Sequence, residues 1–169
     1  SGQITSQMLA RMQADVIDLR PTVLVILGGT NDLARGVPPS TIKNNLSMIA
    51  SLALAHDIIP IFSSILPVND YHERDDPNYV RSVLRSPSDI TSFNQWIRNF
   101  CQKRGLHYLD YHSKMIDSAG QLGVSWTEDG LHPNEEGYKI MASLVQASIT
   151  SALRGQGKKK RKKMRRRLF

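Results

Sequence analysis

Apolar residues recur along this chain with two different spacings. Residues 5–20 carry Met8, Leu9, Met12, Val16 and Leu19 at helical intervals, with Thr5 or Ser6 available as a cap and Pro21 as a stop. Residues 22–27, Thr-Val-Leu-Val-Ile-Leu, are continuously apolar and rich in β-branched side chains. That pattern predicts a strand covered on both faces of a parallel sheet, ending at Gly28-Gly29, where the backbone can turn sharply. A helix is predicted over about 40–56, with Ile42, Leu46, Ile49, Leu52 and Ala53 on one side. A second apolar strand follows at 58–65, with Pro60 near its start, where a missing N–H is tolerated. Residues 67–87 form a polar connection containing three prolines. A helix at 89–104, with Ile90, Phe93, Trp96, Ile97 and Phe100 inward, leads to a short strand at 106–109. The last helix covers about 135–153, capped by Asn134, with Glu135 and Glu136 at the favourable end of its dipole.

Strand and helix alternate, which predicts an α/β fold: a three-layer sandwich around a mostly parallel sheet. Three clear strands are few for such a sheet, and the first element is a helix, so a front portion of the domain is expected to be missing. No apolar run approaches the ~18 residues of a membrane span. Cys101 stands alone, so an internal disulfide and a cysteine zinc site are both excluded.

Charge changes the picture at one end. The 169 residues carry a formal net charge of +7, but nine basic residues lie between Lys158 and Arg167. The rest of the chain holds 13 Lys and Arg against 15 Asp and Glu. Residues 1–154 therefore read as the folded domain and 155–169 as a basic tail, expected to be disordered through self-repulsion and lack of apolar residues. The tail reads first as an extension without a role of its own, and second as a segment for a polyanion such as nucleic acid or anionic lipid, or for a localisation receptor, although no aromatic residue interleaves its lysines and arginines to stack on bases.

Candidate chemistry gathers where open α/β sheets bind ligands, beyond the carboxyl ends of the strands. Gly28-Gly29-Thr30-Asn31-Asp32 follows the first strand, and Asp129-Gly130-Leu131-His132-Pro133-Asn134 precedes the last helix. An Asp three residues before a His can fold back onto the imidazole, Gly130 permits the turn, and Pro133 restricts the backbone of His132. Each motif alone is also an ordinary turn or cap. His56, His107 and His112 read as structural. The group Asp70, His72, Glu73, Asp75 and Asp76 reads as a solvated acidic loop, and no metal or cofactor is expected.

Taken together with Ser1-Gly2-Gln3, these segments resemble the SGNH hydrolases, also called GDSL-type esterases and lipases, and within them the bacterial lysophospholipase-like and arylesterase-like members. Gly2 matches the family's second block, Gly29-x-Asn31-Asp32 its third and Asp129-x-x-His132 its fifth, in order and over residues 1 to about 153. The resemblance implies hydrolysis of a small-molecule carboxylic ester, with His132 as general base, Asp129 as its orienting carboxylate, and Gly2 and Asn31 as oxyanion donors. It also implies a nucleophilic Ser in a first block, Gly-Asp-Ser, which this sequence does not contain. Ser1, Ser63, Ser64 and Ser125 lack the required turn, so the nucleophile is assigned to an upstream strand–helix–strand unit of about 30 or more residues, and the sequence as given is expected to be inactive and poorly stable. Tyr71, Tyr79 and Val80 in the polar connection are candidates for substrate contacts or for loop packing. The other reading is a non-catalytic α/β binding protein that uses the basic tail on a polyanion.

Overall fold

The computed structural model describes residues 2–71 and 80–165, the last ten of these as backbone alone. Three strands, β1 (Val23–Ile26), β2 (Ile59–Ser63) and β3 (His107–Leu109), pair in that order, and both pairings are parallel. Val25 lies opposite Ile61, and Phe62 opposite Tyr108. Side chains alternate between the two faces of a strand, and here both faces are apolar. Leu24, Ile26, Phe62 and Tyr108 belong to a core with Ile42, Leu46 and Ile49 of α3 (Pro39–Ala55) and Ile90, Phe93 and Ile97 of α5 (Pro87–Arg104). Val23, Val25, Ile59, Ile61 and Leu109 face a second core with Ile140, Met141, Leu144, Val145 and Ile149 of α6 (Glu135–Arg165). Helices thus cover the sheet from both sides, giving the α/β sandwich that the alternating pattern predicts.

The segment at 5–20 departs from one continuous helix. It divides into α1 (Thr5–Ala10) and a π-helical turn over Gln13–Ile17. The wider turn adds a residue to the local repeat, so the buried positions after Met12 fall on Ile17, five residues on, and Leu19 is 72% exposed. Beyond Met12, Val16 still packs against the core as the periodicity predicts, while Leu19 is on the exposed side and Ile17 takes the buried position. Thr5 does not cap its helix. It is buried, and its N–H and Oγ1 both donate to the Asp32 carboxylate, Oγ1 to Oδ1 at 2.6 Å.

Two short helices were not legible in the pattern. α2 (Thr30–Ala34) starts directly after the glycine pair, and α4 (Arg81–Leu84) lies within the polar connection. α6 is described through Arg165 instead of ending near 153, so its backbone runs on into the basic segment expected to be disordered. Lys and Arg are good helix formers, and the long packed part of α6 is already nucleated, so extension needs no new nucleus.

Candidate active site

The loop between β3 and α6 builds the first half of the site. Gly130 adopts φ 76°, and a Cβ there would sit 2.2 Å from the carbonyl oxygen of Asn69. Only glycine gives both the left-handed backbone and this close approach. The Gly130 carbonyl in turn accepts from Asn69 N–H at 2.9 Å. Asn69 is buried, and its Nδ2 donates to the Leu122 carbonyl at 2.6 Å, so one side chain ties the start of the polar connection to the loop that carries Asp129.

After this turn the chain folds back on Asp129. Its Oδ1 accepts from the N–H groups of His132 at 2.8 Å and Leu131 at 2.9 Å. Its Oδ2 lies 2.7 Å from His132 Nδ1. Partial burial pushes the Asp129 carboxyl up, but the His132 N–H, the His132 imidazole and the Leu131 N–H outweigh it and hold it well below the usual carboxylate range. The imidazole is 70% exposed, leaving Nε2 open to a reactant. Thr127 Oγ1 donates to the His132 carbonyl at 2.8 Å and fixes the backbone beneath it. Asn134 accepts from Gly137 N–H at 3.1 Å through Oδ1, so its capping role holds.

The second half comes from the turn after β1. Gly29 has φ 120°, and a Cβ there would lie 2.4 Å from the Phe93 ring. Asn31 follows on α2, and its Nδ2 donates to the Gln3 carbonyl at 3.0 Å. An amide nitrogen has two N–H groups, so one is anchored and one is available to a reactant. Gly2, at φ 71°, is held through its carbonyl by Arg35 Nη2 at 2.9 Å. Asp32, fully buried, fastens α1 to α2 through Thr5, and Asn45 Nδ2 donates to Thr5 Oγ1 at 3.0 Å. This network keeps Gly2 and Asn31 side by side.

Gly2, Asn31 and His132 line one cleft of about 340 Å³ at the carboxyl ends of β1 and β2, with Leu27, Leu66, Leu131 and Tyr138 as its apolar wall. All four residues proposed from sequence therefore meet there, Asp129 through its bond to His132. Among the described residues the cleft holds no serine. Ser63 and Ser64 are buried, Ser63 Oγ donating to the Ile26 carbonyl and Ser64 Oγ accepting from His112 N–H. Tyr71 turns away, its hydroxyl donating to Asp117 Oδ2 at 2.8 Å, and Val80 is not part of the wall. Tyr79, Ser1 and most of the acidic loop, including His72, lie outside the described residues. Sequence reasoning missed Asn69, Thr127 and Arg81. The first two are buried polar residues in loop segments that also carry charged residues, and burial, which only the fold reveals, is the signal that marks them. Nothing in the pattern marks Arg81, whose Nε donates to the Asp129 carbonyl at 2.9 Å.

The GDSL-like lipase/acylhydrolase family model matches residues 1–140 of this chain. The chain belongs to this family. A GDSL-like lipase from Bacteroides thetaiotaomicron is 32% identical, with a TM-score of 0.80 over 90% of this chain and 73% of its own. The esterase EstA of Pseudoalteromonas, 23% identical, shares the fold with a TM-score of 0.67 over 91% of this chain and 75% of its own. A curated relative of Streptococcus agalactiae, named N-acylneuraminate cytidylyltransferase, is 27% identical over 148 residues. These cover 88% of this chain but only 33% of that protein, so the chain spans about a third of its length. The family is one of acylhydrolases, and the cytidylyltransferase name does not match that activity.

Proposed function

We propose that this domain hydrolyses carboxylic esters of small molecules by a serine–histidine–aspartate mechanism. The observation that carries the reading is the 2.7 Å contact of His132 Nδ1 with Asp129 Oδ2, in a residue whose ring lines the same cleft as Gly2 and Asn31. His132 Nε2 takes the proton of a serine hydroxyl as that oxygen attacks the ester carbonyl, then returns it to the leaving alcohol. The ionised Asp129 keeps the Nδ1–H tautomer and stabilises the imidazolium. The oxyanion is met by Gly2 N–H and by the second N–H of Asn31, both anchored before substrate arrives. The attacking serine is assigned to chain upstream of this sequence.

The test uses the full-length protein and a short p-nitrophenyl ester. His132→Ala is expected to lower kcat by several powers of ten while the fold, followed by circular dichroism, is retained. Asn31→Ala is expected to lower kcat by about 100-fold or more at little change in KM, the signature of a donor used in the transition state. Retention of most activity in His132→Ala would refute the mechanism.

A further inference from the structure

Helix α4 brings a cation to the far side of the Asp129 carboxylate. Arg81 Nε donates to the Asp129 main-chain carbonyl at 2.9 Å, and Nη2 reaches Oδ2 at 3.4 Å. Oδ2 is the same oxygen that holds His132 Nδ1. One guanidinium thus grips both the backbone and the side chain of the residue that orients the imidazole. The Arg81 side chain is only 17% exposed and that of Asp129 28%, so water screens the pair far less than a surface ion pair. One turn on, Arg85 is buried, and its Nε has no hydrogen-bond partner among the described residues. The planar fork of arginine suits this two-point grip, and lysine cannot reproduce it.

We infer that Arg81 is a positioning residue for the His132–Asp129 pair, fixing the carboxylate and setting how strongly it supports the protonated imidazole. The inference rests on the hydrolase reading for its kinetic consequences and on geometry for the rest. A cation sharing Oδ2 draws charge from the bond to His132 and disfavours the imidazolium. The groups around the imidazole are of mixed sign. Glu128 and Asp129 come from its own loop, Glu135 and Tyr138 from α6, and Arg81 and Arg85 from α4, while Arg35 lies across the cleft on Gly2. Removing Arg81 shifts this balance towards the acids.

The experiment compares the full-length protein with Arg81→Met and Arg81→Lys, reading kcat and KM against pH and the downfield proton resonance of His132 Nδ1–H. For Arg81→Met, kcat is expected to fall between ~10-fold and ~100-fold with KM little changed, and the acidic limb of the profile to move. The Nδ1–H resonance should move or broaden, and Arg81→Lys should fall between the two proteins. A loss of kcat with the limb and the resonance unmoved would overturn the inference, as would a rise in KM alone, which would place Arg81 on the substrate. Should Arg81→Met not fold, Arg81→Lys is read by the same criteria. Should the unsubstituted protein hydrolyse no ester, the hydrolase reading fails separately, and the resonance alone decides whether Arg81 governs the pair.

Discussion

Gly130 shows how much of the site rests on one absent side chain. Its backbone lies in the left-handed region and its Cα faces the Asn69 carbonyl, where a Cβ would come within 2.2 Å. Gly130→Ala must therefore both strain the turn and push Asn69 away. We expect a loss of at least about 2 kcal/mol in stability, measured by urea denaturation, together with weakened ester hydrolysis, because the same turn aims Asp129 Oδ1 at the N–H groups of Leu131 and His132. An unchanged denaturation midpoint would show that the loop accommodates a Cβ by moving. Asp129 and His132 were legible as a pair because three-residue spacing around a glycine is a local property. Arg81 was not, because its partner lies 48 positions away, beyond a strand and a long helix.

At the scale of elements, caps and glycine turns decide where the chemistry stands. The first turn of α5 is closed by Ser86, whose Oγ accepts from Asp89 N–H at 3.1 Å, with Pro87 as the first helical residue. Ser86→Ala is expected to destabilise the protein by about 1 kcal/mol in thermal or chemical unfolding, with ester hydrolysis unaffected at temperatures below the transition. At its other end Gly105 takes the left-handed conformation, and its N–H bonds the Gln102 carbonyl. The helix that carries Phe93 against Gly29 is thereby fixed at both ends. Strands, the three long helices and their buried faces followed from periodicity. The π-helical turn at Gln13–Ile17 did not, because a one-residue change of repeat leaves no mark in residue type and is chosen by the fit of Met12 and Ile17 to the core.

For the whole molecule, the weight of α6 lies in its first half. Met141 and Ala152 are buried in the core below the sheet, and Ile140, Leu144, Val145 and Ile149 pack against it. Leu153, Arg154 and Gly155, the last residues whose burial is described, lie outside that core. Residues 156–169 carry only three apolar side chains, Met164, Leu168 and Phe169, so their removal is expected to leave the melting temperature within about 2 °C and ester hydrolysis unchanged, and a larger drop would assign the tail a structural role. By itself the sequence determined the alternation of strand and helix, the apolar faces, the glycine turns and the local Asp129–His132 pair, because each depends on residues close together in the chain. The meeting of Gly2 and Asn31 with His132 across one cleft was implied only by the family resemblance, and tertiary structure supplied its geometry. Tertiary structure alone decided that buried Asp32 locks Thr5, that Asn69 meets Gly130, and that Arg81 reaches the orienting carboxylate. The physical reason is that these contacts join residues dozens of positions apart, and hydrogen bonds of that span are selected by the packing of helices on a parallel sheet rather than by any local preference of the chain.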